Sequence, residues 1–95
     1  MKKVFKVKEG VLLAERNNIL YVLDVDSGRV HEFNETARAI FQICMEPVSL
    51  EEIVKEYTQY FDIPESEAEK DISEVLTVMI ENGLLEDGKG DANHH

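Results

Sequence analysis

The chain has no tryptophan, a single cysteine, two prolines and no apolar run approaching the ~20 residues that cross a bilayer. Each shortage excludes something. Cys44 has no partner for a disulfide within the chain, and it lies on the apolar stripe of a predicted helix, which makes it a small buried hydrophobe rather than a nucleophile or metal ligand. His31 is the one histidine before the terminal pair His94-His95, which reads as the remnant of a purification tag and is kept out of any metal argument. There is no glycine-rich phosphate loop, spaced Cys/His cluster, HExxH or nucleophile elbow. Acid pairs such as Glu51/Glu52 and Glu67/Asp71 fall on solvated helix faces. No catalytic residue, metal or cofactor is expected, so the chain is not expected to be an enzyme. Met1-Lys2-Lys3-Val4 leads into alternating Lys and apolar residues rather than a signal-peptide core, so the expected location is the cytoplasm, away from membranes.

What is present suits one small soluble domain: 95 residues, 43% of them apolar and 32% charged. Charge is unevenly spread. Residues 1–38 carry seven Lys/Arg against six Asp/Glu, and residues 39–95 carry three against fourteen, so the net −10 resides in the second half.

Along the chain, Lys2 to Lys8 alternates Lys with apolar residues and predicts an extended arm or marginal edge strand. Val11–Glu15 and Ile19–Asp24 flank Arg16-Asn17-Asn18, and this asparagine pair tolerates the positive φ of a tight hairpin turn. Ile19–Leu23 is apolar at every position, as expected of a central strand covered on both faces, although so short a run also fits a buried helix segment. The turn Asp26-Ser27-Gly28 returns the chain into Arg29–Phe33, which in a simple meander lies at an edge, with one side lacking a strand partner. Asn34 is an N-cap, and a first helix follows over about Glu35–Met45, ending before Pro47. Ser49-Leu50-Glu51-Glu52 is a capping box that opens a second helix to about Tyr60. A third helix begins around Pro64 to Ser66 and runs to Asn82, with Gly83 at the left-handed C′ position. Ala68, Ile72, Leu76 and Met79 form its apolar stripe. Val78 falls about 120° away from Ile72, on a flank shared with Asp71 and Asn82, as a chance exposed valine or a groove-lining one. Gly83–Glu86 closes the domain as a short extended segment, and residues 87–95 form a frayed tail.

The expected class is therefore α+β over residues 1–86: a small three-stranded antiparallel sheet with three helices, winged helix-turn-helix-like. Such folds bind DNA, but the third helix, which would be the reading helix, carries six acids against Lys70 alone between Glu65 and Glu81. Phosphates would repel it, so no nucleic-acid partner is expected.

The residues that remain resemble a family. Gly28-Arg29-Val30-His31-Glu32-Phe33-Asn34-Glu35-Thr36-Ala37, Ile40-Phe41, Ser49-Leu50-Glu51-Glu52-Ile53, Tyr60-Phe61, Asp71-Ile72 and Gly83-Leu84-Leu85 look, in order and spacing, like the pyrroloquinoline quinone biosynthesis protein D (PqqD) family over about residues 11–86. Two departures are Phe33 where the family usually has Leu, and Met45-Glu46-Pro47-Val48 in place of an Asp-Gly turn. The resemblance implies a non-catalytic peptide chaperone, a recognition element for ribosomally made precursor peptides. Such a domain binds a leader segment and presents the core to a modifying enzyme, often of the radical S-adenosylmethionine type. It also implies that the leader adds as a strand beside Arg29, Val30, His31, Glu32 and Phe33, against a wall containing Asp71, Val75 and Val78. The same open edge is compatible with a monomer awaiting its peptide or with a homodimer.

Overall fold

A computed structural model describes residues 3–89 of the chain. Its elements run β1 (Lys3–Val7), β2 (Val11–Arg16), β3 (Ile19–Asp24), β4 (Arg29–Phe33), α1 (Glu35–Ile43), β5 (Val48–Ser49), α2 (Leu50–Phe61), α3 (Glu65–Glu81) and β6 (Leu85–Lys89). The class is α+β, with three helices and two three-stranded antiparallel sheets among the described residues. One sheet, ordered β2-β3-β4, is the predicted meander. The second, ordered β5-β1-β6, enlarges the expected architecture.

Local chemistry accounts for most element boundaries. Asn17 and Asn18 take φ of 55° and 66°, the geometry of a two-residue hairpin turn between β2 and β3. At the start of α1, Asn34 Oδ1 accepts the Ala37 N–H at 3.1 Å. The capping box is complete: Ser49 Oγ accepts from the Glu52 N–H at 3.2 Å, and Glu52 Oε1 accepts from the Ser49 N–H at 2.8 Å. Gly83, at φ 74°, lets the Leu84 N–H turn back to the Met79 carbonyl and ends α3.

Three expectations are corrected. Lys3–Val7 is neither an extended arm nor a marginal edge strand but the middle strand of its sheet, because Phe5 and Val7 point into the core while Val4 and Lys6 stay half-exposed. The last strand extends through Asp87, Gly88 and Lys89, which pair with Phe5, Val4 and Lys3 and so do not belong to a tail; residues 90–95 lie outside the described residues. And β3 is central but covered on one face only. Leu20, Val22 and Asp24 are buried, while Ile19, Tyr21 and Leu23 are half-buried on the other side.

The core lies between the helices and the inner faces of both sheets. Leu20 and Val22 of β3, Ile40, Phe41 and Cys44 around α1, Ile53 of α2, Ile72 and Met79 of α3, and Leu84 are essentially inaccessible to solvent. Burial, with a contribution from the nearby charge of Glu56, pushes the Cys44 thiol up to about 12, so it stays protonated as a packing group. Lys8 clasps the two sheets together, its Nζ lying 2.9 Å from Asp24 Oδ1 and 3.1 Å from Asp26 Oδ2.

Candidate functional site

β4 hydrogen-bonds to β3 on one side, in the register Leu20↔Phe33, Val22↔His31 and Asp24↔Arg29. On its other side no strand is paired among the described residues. That edge presents backbone N–H and C=O groups that an incoming strand could pair with, and the strand runs directly into the Asn34-capped α1, which holds it beside the helix.

Beside the edge is a groove of about 300 Å³. Glu32 and Phe33 line it from β4, Ala37 from the first turn of α1, and Glu74, Val75, Val78 and Met79 from α3. Its floor is fixed from below: the Phe33 ring packs 5.3 Å from that of fully buried Phe41. A second hollow of about 290 Å³ shares Glu32, Phe33 and Ala37 and continues toward Ile19 and Asn34. Val78 is 52% exposed on an otherwise amphipathic helix, so the groove wall is an apolar surface open to water. Its charged lining residues are both glutamates. A larger hollow of about 410 Å³ between α1 and α2, lined in part by Gln42, Glu56 and Tyr60, is formed by helices alone and borders no open strand.

The structure brings together four of the residues singled out from the sequence, Glu32, Phe33, Val75 and Val78. Arg29, Val30 and His31 continue the same strand edge without lining the groove. Val30 is exposed on the sheet's outer face, in one row with Leu12 and Leu23. His31 is half-buried beside Phe33, with ring centroids 6.4 Å apart, and its Nε2 is buried with no hydrogen-bond partner among the described residues. Asp71 stands one turn before Val75 and is not among the groove-lining residues. Its charge bears on Tyr57 of α2, whose phenol is pushed up first by burial and then by Asp71 and Glu67, against a hydrogen bond with Thr36. Ala37, Glu74 and Met79 were not anticipated. Glu74 had a readable signal, since it lies only about 40° around the helix from Val78; Met79 was hidden by its place on the buried stripe.

Comparison with known proteins decides the family. The model of coenzyme PQQ synthesis protein D (PqqD) matches residues 9–85. The chain belongs to the PqqD family. Among solved structures, TbiB1 in complex with the TbiA(beta) leader peptide superposes with a TM-score of 0.76 at 22% identity, covering 90% of this chain and 99% of that one. Lasso peptide synthetase B1 complexed with its leader peptide gives 0.73 at 26% identity, covering 86% and 96%. The PqqD portion of Methylobacterium extorquens PqqCD, described as a functional, stand-alone recognition element for ribosomally synthesised and post-translationally modified peptides, gives 0.71 at 21% identity over 87% and 88%. No curated protein matched the chain. The similarity covers nearly all of this PqqD-family chain, so both sheets and all three described helices belong to the shared fold. Among its described residues no helix is long and apolar enough to cross a membrane, and no group of three or more His, Cys, Asp or Glu is placed to hold a metal ion.

Proposed function

We propose that this PqqD-family domain binds the leader segment of a ribosomally made precursor peptide and presents the attached core to a modifying enzyme, without catalysing a step itself. The observation that carries this reading is the unpaired edge of β4 lying directly beside the groove of Phe33, Val75 and Val78. An incoming strand gains register-fixing hydrogen bonds from Arg29 to Phe33, while its alternate apolar side chains enter the groove. Support comes from relatives of the same fold that were solved with leader peptides bound. That the partner enzyme is of the radical S-adenosylmethionine type rests on the family resemblance alone.

Glu32 and Glu74 in the groove and the acidic run of α3 favour a leader with Lys or Arg among its contact residues and disfavour an acidic one. Ordering a disordered leader costs about 2–5 kcal/mol, which places the affinity nearer micromolar than picomolar. The test is an NMR titration of the labelled domain with the synthetic leader of a precursor encoded beside it. Amide shifts at 29–33 and 74–79 are expected to move together; an unchanged spectrum at millimolar peptide would remove the proposal.

A further inference from the structure

The meander has a second open edge, and its character differs from that of β4. β2 pairs with β3 alone among the described residues, and β3 is the only element with which it makes an extensive contact. Five consecutive residues of β2, Leu12 to Arg16, are exposed. They include Leu12 at 61% and Leu13 at 42%, which lie on opposite faces of the sheet. A strand that is apolar on both faces and unpaired along one side is a liability unless something completes it.

We propose that what completes it is β2 of a second copy of this chain, giving a six-stranded antiparallel sheet of two meanders joined edge to edge. Three observations select this occupant over a guest peptide. First, no helix packs extensively on β2, so a single added strand would gain backbone hydrogen bonds but no side-chain pocket, whereas a second copy brings its own exposed leucines. Second, the surface is nearly neutral on a strongly acidic molecule. Residues 1–38 hold seven basic against six acidic side chains, and the carboxylate of Glu15 is already engaged by Arg38 at 2.9 Å, so two copies meet here without the repulsion that parts their helical halves. Third, the strand is self-complementary about Leu13. With Leu13 of one copy opposite Leu13 of the other, Leu12 faces Ala14 and only Val11 meets a charge, Glu15, while centring on Ala14 would set both leucines against charges, Leu12 against Arg16 and Leu13 against Glu15.

This pairing leaves both β4 edges open. Five strand spacings separate them, about 24 Å at 4.8 Å each. The dimer therefore carries two peptide-accepting edges on opposite margins of one sheet, and it stands or falls independently of leader binding.

The experiment is sedimentation of the full chain over a concentration series, with amide shifts followed over the same range. Mass should rise from one chain toward two, with concentration-dependent shifts at 11–16 and none at 29–33. Leu13→Lys, which sets like charges opposite each other at an already exposed position, should weaken dimerisation at least about tenfold, while Val30→Lys on the other edge leaves it unchanged. A single-chain mass persisting to millimolar concentration overturns the proposal. So does a dimer that Val30→Lys disrupts and Leu13→Lys spares. The wild-type shifts at 11–16 do not depend on either variant folding.

Discussion

The sheet ordered β5-β1-β6 joins the two ends of the described chain, pairing Lys3 with Lys89 and Val7 with Leu85, takes its third strand from mid-chain, and turns Phe5, Val7, Val48 and Leu85 into the core. The meander β2-β3-β4 is made of neighbours in sequence, buries Leu20 and Val22, and leaves Leu12, Leu13 and Val30 in water, with both outer edges unpaired among the described residues. One sheet closes the fold, and the other leaves large apolar side chains exposed beside its edges. Closing a long loop costs entropy that only a well-buried contact can offset, whereas local hairpins form at little such cost and can remain exposed. Stability and binding should therefore respond to changes in different sheets.

The largest expected effect tests the closing sheet. Phe5→Ala should destabilise the domain by about 3–5 kcal/mol through lost burial and the cavity left behind. That is a large fraction of the roughly 5–15 kcal/mol typical of a whole domain. Leu12→Ala, in the exposed meander, should change stability by no more than about 0.5 kcal/mol. Urea denaturation of the two variants measures both, and equal losses would erase the contrast between the sheets.

A smaller effect probes the displaying sheet and its facing helix. Val78 is half in water, so Val78→Glu should leave the urea midpoint nearly unchanged. In the groove it removes apolar wall and adds a third carboxylate beside Glu32 and Glu74. Leader affinity should fall about tenfold, near 1.4 kcal/mol, as read by anisotropy of a labelled leader. Undiminished affinity would move the guest away from this wall.

These contrasts were unequally legible in the sequence. The meander, Asn34, the Ser49/Glu52 box and Gly83 each carry a local signal, because turns and caps are chosen by the residues that form them. The pairing of β1 with β6 carries none: Lys3 and Lys89 meet only through the completed core, so the alternation at Lys2–Lys8 read as a marginal arm and Asp87 to Lys89 as a tail. Ile19–Leu23 misled in another way. Its continuous apolarity suggested cover on both faces, but the outer residues Ile19, Tyr21 and Leu23 stay half-exposed, and under the dimer proposed above they lie on the broad face of the joined sheet. Within the candidate groove, helical geometry placed Val75 and Val78 correctly relative to each other. It could not show that α1 delivers Ala37 or that the charge of Asp71 bears on Tyr57, since both depend on how three helices pack.

The smallest effect lies where the two sheets are clasped. A hydrogen bond from Lys8 holds the Asp24 carboxyl below its ordinary range; burial opposes this, and Ser27 and the Asp26 N–H assist. Its folded pKa is thus depressed, so the stability it contributes is present above the unfolded value near 3.8 and is lost as pH falls through the lower folded value. Lys8 is raised from 10.5 by the same contacts, Asp24 first and Asp26 second, so its contribution is complete below 10.5 and is lost only as pH climbs through the higher folded value. Between those limits the clasp is pH-independent. Asp24→Asn keeps an amide oxygen for the Asp26 N–H, and Lys8 retains Asp26 at 3.1 Å, so the variant should lose at neutral pH about what the ionised Asp24 contributes there, the same amount that the wild type loses from this group on acidification. The signature is a shallower fall in stability in the variant as pH drops below about 3.8, measured by urea unfolding at each pH. Parallel curves for the two proteins would mean that the link between the closing and displaying sheets rests on packing alone.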